Sequence, residues 1–335
     1  MELRLINKKE EINITNWCTS ITLDGDYRNC CRTLDFGIIK SQSDKNTHLA
    51  NINLGDNVIL TENNITLFHG IVWSKNKSSN ANEISINCKD FGIYLNKNNA
   101  FYKFRNKMPE QIVKIIASDY NLELGDIAIT NKVINRNFFG NSLYDIIMTS
   151  YNLANDKKYM VLFKANKLCI LEKGIKLCKA LKSGSNLLNM AYSESLEEMR
   201  NKIVVYNKDD VLIDTKSNKN DISKYGILSD YFKTNDNNYL DKVNKMLKSV
   251  SQKITVDNLG DVLYTTGSSV MVEEPYIGVK GLFYIDSDTH NWKNGIYTNK
   301  LTLNFQNLMD EKEAGNYEKN YEEQQQKIVF HKWLE

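Results

Sequence analysis

The sequence predicts a β-rich α+β protein in which two β-barrel-like units flank a small α/β domain, the second unit carrying a helical insertion. Short segments rich in Val, Ile and Phe, punctuated by turn residues, fill the first 95 or so positions and return after residue 181. Helical periodicity concentrates between residues 98 and 180. The chain has 335 residues, beyond the roughly 250–300 at which one hydrophobic core stops growing.

The first unit, 1–97, is read from Asn57–Leu60, Leu67–Trp73 and Glu83–Cys88, all of strand length. In the last of these, Ile84, Ile86 and Cys88 alternate with Glu83, Ser85 and Asn87, the period of two that marks a half-buried strand. Leu54-Gly55-Asp56, Asn63-Asn64 and Ser78-Ser79-Asn80 supply turn chemistry between them. Gly70 falls inside a strand pattern, which predicts a bulge or a tight bend.

The α/β domain, 98–180, opens with Pro109 at a helix start, where its missing N–H costs nothing. Ile112, Val113, Ile116, Ala117 and Tyr120 then share a face, and Gly125 follows the helix end. A second helix begins near Ser142, with Asp145 three residues on in a capping-box arrangement, and buries Leu143, Ile146, Ile147, Ser150, Tyr151 and Ala154. Strands follow at Tyr159–Phe163 and Lys167–Leu171.

The second unit, 181–308, holds strands at Leu187–Tyr192, Asn201–Asn207, Ser269–Val272, Gly281–Ile285 and Tyr297–Phe305. Asp209–Asp221 reads as a long loop or hairpin tip, and a helix over Asn238–Gln252 lies in an insertion spanning about 221–256. The remainder, 309–335, is a polar tail with helical character that closes on the apolar hook Ile328-Val329-Phe330 and Trp333-Leu334. The bland alternative for this tail is a frayed terminus.

Composition excludes several functions. The net charge is +2, from 43 basic and 41 acidic residues, and the lysines are scattered among carboxylates. Stable nucleic-acid binding needs clustered cations, so it is disfavoured. The apolar runs are far shorter than the ~18–20 residues that cross a bilayer, and the start carries no signal-peptide core of ~7–15 residues, which predicts assembly in the cytoplasm without membrane insertion. Cys18, Cys30, Cys31, Cys88, Cys169 and Cys178 form no C-x-x-C pair and read as buried reduced thiols.

Chemical motifs are sparse, and the reading assigns no catalytic, cofactor-binding or metal-binding residue. His48, His69, His290 and His331 have no metal-ligand spacing, and no Walker loop, nucleophile elbow or G-x-G-x-x-G is present. The carboxylate pairs Glu197-Glu198 and Glu273-Glu274 read as solvated faces. The best acidic cluster is Asp286-Ser287-Asp288-Thr289-His290, whose spacing could serve a metal or an acid–base pair. With Asn291–Gly295 behind it, the simpler expectation is a hairpin loop whose side chains bond the local backbone.

Certain segments in order resemble a known family. They are Leu54–Val58 with Phe68–Val72, Asn141–Tyr151, Met199–Tyr206, Tyr225-Gly226, and Asp286–Gly295 with its Asp-x-His-x-Trp core. The chain resembles the hub proteins of contractile phage tails and R-type, diffocin-like bacteriocins, the XkdQ/YqbQ-like tail hubs of prophage elements. The resemblance implies two tail-tube-like barrels per subunit and a homotrimer joining a six-fold tube to a three-fold spike. The implied partners are the tail tube protein, the central spike protein, baseplate wedge proteins and a LysM-type tail protein. The implied protein is a non-enzymatic virion component without cofactors, its lumen passing DNA when the particle is a phage.

Three alternatives stay open on the sequence. One is the hub or adhesin of a non-contractile tail. Another is a peptidoglycan or surface-glycan hydrolase using Asp286–His290. The third is a glycan-binding adhesin with Trp73 and Trp292 as stacking platforms.

Overall fold

The computed structural model describes residues 1–7, 10–39, 51–78, 83–154, 157–235 and 239–316. The chain divides into two compact units, one of Met1–Asn189 with Val256–Glu335, the other of Met190–Thr255.

In the larger unit the chain runs through β1 (Glu2–Ile6), β2 (Glu11–Asn13), a 3-10 turn, β3 (Cys18–Asp26), β4 (Asn29–Ile39), β5 (Asn57–Glu62), β6 (Ile65–Lys77) and β7 (Glu83–Asp90). Next come α1 (Gly92–Lys97), β8 (Asn99–Lys107), α2 (Pro109–Asp119), β9 (Glu123–Ile127), β10 (Ile134–Ser142) and α3 (Leu143–Ala154). They are followed by β11 (Tyr159–Lys164), β12 (Lys167–Glu172) and β13 (Leu177–Lys182). The chain leaves along β14 (Leu187–Ser195), and the smaller unit holds β15 (Lys202–Tyr206), β16 (Leu212–Ser217), α4 (Lys219–Tyr225), β17 (Ser229–Lys233) and α5 (Leu240–Met246). It returns along β18 (Ser251–Leu259) and ends in β19 (Ser269–Glu274), β20 (Val279–Lys293) and β21 (Ile296–Asn304).

The β-rich segments from both ends of the sequence share one 13-stranded sheet, ordered β14-β18-β21-β20-β3-β4-β7-β6-β5-β1-β2, with β19 also on β20 and β13 on β19. The join is the antiparallel pairing of β20 with β3, from Ser287 opposite Asp26 to Lys293 opposite Ser20. Strands distant by some 260 positions therefore zip into a continuous ladder, which no local pattern encodes.

Local rules account for much of the rest. Asn63 and Asn64 both take left-handed backbone angles, the two-residue turn that matches strand twist, and join β5 to β6. Gly70 sits where β6 presses on β7: a Cβ there would lie 2.2 Å from the Lys89 carbonyl oxygen. Pro109 opens α2, and Ile112, Val113, Ile116 and Ala117 form its buried stripe. The Ser142 hydroxyl accepts the Asp145 N–H at 3.0 Å, the N-cap bond expected at the start of α3. The two helices and β8, β10, β11 and β12 enclose a core that includes Ile147, Tyr151, Phe138 and Met309.

Three expectations are corrected. Asp209–Asp221 starts in the tip of the β15–β16 hairpin but is no long loop, since it goes on to contain β16 and the start of α4, where Asn218 accepts the N–H groups of Asn220 and Asp221. The helix expected over 238–252 is only α5. Lys248 exchanges both main-chain hydrogen bonds with Arg200 at 2.9 Å, which takes that stretch out of the helix, and β18 begins at Ser251. Asp286–His290 is not a hairpin loop but the middle of β20, with the turn deferred to Asn294-Gly295. The 309–316 stretch carries no helix, while the apolar hook and Ser79-Asn80 lie outside the described residues.

Candidate functional site

β20 owes its inward chemistry to a phase change. Phe283 and Ile285 face the core; a bulge against β21 between Ile285 and Ser287 then inserts one residue. After it, Asp286, Asp288, His290 and Trp292 are the buried set. A strand that was apolar inside becomes polar inside without leaving the sheet.

Asp288 is the centre of this row and is 1% exposed. Both its oxygens face the Arg32 guanidinium, delivered from β4. Gly25, directly opposite Asp288 in the β3 ladder, leaves the opening for this reach: a Cβ there would stand 3.0 Å from both Arg32 Cζ and Asp288 Oδ1. Thr266 donates its N–H and its hydroxyl to Oδ1, each at 2.6 Å. Burial alone would raise the Asp288 pKa, but Arg32, His290 and Thr266 outweigh it and hold the carboxyl well below the usual carboxylate range.

His290 is 0% exposed. Its Nε2 lies 3.1 Å from Asp288 Oδ2, close enough for electrostatic attraction though outside hydrogen-bond alignment. The Tyr297 hydroxyl stands 2.7 Å from Nδ1 and the Asn299 amide nitrogen 2.9 Å. The Asn299 carbonyl oxygen accepts the Asp261 N–H at 2.7 Å and the Asn258 amide at 3.3 Å, so its NH2 group must point at the histidine. Nδ1 is therefore an acceptor, and the ring proton sits on Nε2. Trp292 continues the row, stacked on Tyr297 with centroids 4.5 Å apart, and donates its indole N–H to Glu62 at 3.2 Å.

Asp286, at the bulge, makes the second buried pair. It accepts Lys173 Nζ at 2.6 Å and the Asn304 amide at 2.9 Å, while the ammonium lies 3.9 Å over the Tyr27 ring. Burial lowers the Lys173 pKa against the pull of Asp286, and burial together with Asp286 pushes the Tyr27 phenol up to about 12.

This constellation has the residue types of an acid–base site and the geometry of a structural clamp. Every inward group of the Asp288–His290 row faces another protein group, and no surface of the imidazole reaches solvent. The cluster ties β4, β20, β21 and the 258–266 segment together across the join.

The other candidates scatter. His69 is half-buried on β6, edge-on to Phe91 at 5.1 Å, and burial lowers its pKa. His48 and His331 lie outside the described residues. Glu198 is an exposed partner of Lys248, Glu273 pairs with Lys280, and Glu274 accepts the Tyr276 N–H. Trp73 is exposed whereas Trp292 belongs to the core of the β1–β7 region, so the two form no common platform. A cavity of about 400 Å3 opens between Glu62, Thr19, Lys293 and the edge of Trp292. All six cysteines are free thiols, five of them buried. Among the described residues no group of three or more His, Cys, Asp or Glu side chains could hold a metal ion. Nor is any helix there long and apolar enough to cross a membrane.

Arg32, Thr266, Asn299 and Lys173 were not legible as partners of this row. The one available signal was Gly25, a glycine inside a strand pattern.

The fold is that of phage tail proteins. The 43 kDa tail protein of prophage MuSo2 from Shewanella oneidensis superposes with a TM-score of 0.72 over 92% of this chain and 99% of that one, at 13% identity. The E. coli c3393 protein, a type VI secretion component with structural similarity to the T4 tail proteins gp27 and gp5, matches at 0.56 over 95% and 80%, at 11% identity.

The family model described as YQBQ-like matches residues 21–304, and the chain belongs to that family. Protein XkdQ of the phage-like element PBSX of Bacillus subtilis (strain 168) is 24% identical over 333 residues, covering 93% of this chain and 99% of XkdQ.

Proposed function

We propose that this protein is the structural hub of a contractile tail baseplate, in a phage or an R-type bacteriocin, forming a trimeric ring between a six-fold tube and a three-fold spike and nucleating tail assembly. The observation that carries the reading is the single sheet uniting both ends of the chain, clamped by the buried Arg32–Asp288 and Lys173–Asp286 pairs. A body that transmits contraction force must not part between its halves, and ion pairs buried in a continuous ladder resist that parting. Family membership, a relative from a phage-like element and a tail-protein fold support the same reading.

In this proposal 1–97 and 181–308 act as two tube-like barrels, 98–180 as the domain between them, and 309–335 as a tail. The tube, spike, wedge and LysM-type proteins are its neighbours. The near-neutral charge of +2 suits a lumen that passes cargo without trapping it. The enclosed Asp288–His290 row offers a wall polymer no reactive face, which favours a structural over a hydrolytic role. Deleting the gene, inducing particles and imaging them by negative stain tests the reading. A hub predicts loss of sheathed tails or aberrant polymers of sheath and tube. Normal tails that fail to kill would sink it in favour of a tip adhesin or wall enzyme.

A further inference from the structure

We propose that the β8–β10 ribbon of one copy docks the β14 edge of the next copy, a head-to-tail contact that closes the ring. This inference rests on the ring reading above. Phe101 and Phe139 stand directly opposite each other across the ribbon and are 76% and 62% exposed, while Ala100, Phe104, Ile134 and Phe138 bury its other face. The ladder is bulged at Gly140, which has a left-handed φ of 69° and lies under the Phe101 ring: a Cβ on it would stand 3.7 Å from Phe101 Cζ. Two adjoining phenyl rings held on a strand pair are the large, rigid anchors that dominate protein interfaces. Exposed Lys103, Arg105 and Lys107 follow Phe101 at two-residue intervals along β8, so the patch is aromatic and cationic.

The complement lies on the same chain. β14 is the terminal strand of the 13-stranded order, the position in a sheet where another chain can add. Its stretch in the smaller unit exposes Tyr192 and runs into Glu194, Leu196, Glu197 and Glu198, an apolar and acidic face. Glu194 touches Tyr192 and Gln252, and Glu198 touches Lys248, in exposed contacts that a stronger partner can replace. Neither patch fits itself, because a two-fold contact would set cations against cations or carboxylates against carboxylates. Each fits the other, which makes the contact heterologous, the kind that closes rings when the rotation is right. β8–β10 packing on β14 matches charge sign and apolar anchors together.

The test is a charge swap on the full chain read by analytical ultracentrifugation. One variant carries Lys103→Glu, Arg105→Glu and Lys107→Glu; a second carries Glu194→Lys, Glu197→Lys and Glu198→Lys; a third carries both sets. Each single set should weaken self-association by at least about tenfold. The doubly reversed chain should recover to within about threefold and exclude wild-type copies from its oligomers, which also shows that the substitutions leave the fold intact. Phe101→Ser with Phe139→Ser should weaken association without altering the charge pattern. Single-set variants that sediment as the wild-type oligomer would overturn this docking and leave the ring reading standing. A wild type that remains monomeric even with tube and spike proteins present would overturn both.

Discussion

Replacing Asp288 with asparagine removes one charge from the centre of the join and almost no volume. The Arg32 guanidinium, whose side chain is 17% exposed, is left without its partner. Breaking a buried ion pair from one side costs roughly 3–5 kcal/mol, because the remaining charge stays desolvated. The introduced amide aggravates this. Asp288 accepts from Thr266 on one oxygen and from Arg32 on both, so the NH2 group that replaces one of those oxygens must face at least one donor. Against a total stability of about 5–15 kcal/mol, the expected loss is a large fraction. The effect also has a signed pH dependence. Folding depresses the Asp288 pKa, so its stabilisation is complete above the unfolded value of about 3.9 and is lost as pH falls through the folded value. Urea unfolding of wild type and Asp288→Asn at pH 7, followed by circular dichroism, should show a gap of about 3–5 kcal/mol. Repeated in acid, the gap should narrow. A loss under about 1 kcal/mol at pH 7, or a gap that widens on acidification, would refute the clamp.

Nitrogen NMR of His290 at neutral pH should report a proton on Nε2 and a bare Nδ1, as the Asn299 amide orientation demands; the opposite tautomer would mean that Asn299 is turned over. Gly70→Ala places a methyl group against the Lys89 carbonyl and should destabilise by about 1–3 kcal/mol or more in a thermal melt, whereas a neutral outcome would show that β6 and β7 separate freely. Native protein treated with iodoacetamide at pH 8 should gain no more than one adduct by intact mass, at half-buried Cys18, whose thiol burial pushes up to about 12. The same treatment in denaturant should label all six cysteines, and several native adducts would contradict the buried-thiol assignment.

Legibility followed the range of the forces. Helices α2 and α3 were readable because Pro109, Ser142 and the 3.6-residue stripes act within a dozen positions. The Asn63-Asn64 hairpin was readable because two asparagines tolerate left-handed geometry. Asp286–His290 reads as a loop because a polar strand and a turn share composition. Its polar residues are tolerable in a core only when partners such as Arg32, 256 positions away, satisfy them. The bulge at Asp286 hid the row further by shifting the alternation phase in mid-strand. Apolar spacing carries α5 too far because it cannot reveal that Lys248 bonds Arg200. The β-rich character was thus visible in local chemistry, and the join was not.

The most direct measurement of the hub role is the copy number of this chain in purified tails, by quantitative mass spectrometry after a high-salt wash. A trimeric hub predicts one copy per subunit of the three-fold spike, retained through the wash. A chain that washes away, or that matches the six-fold tube ring copy for copy, would contradict it.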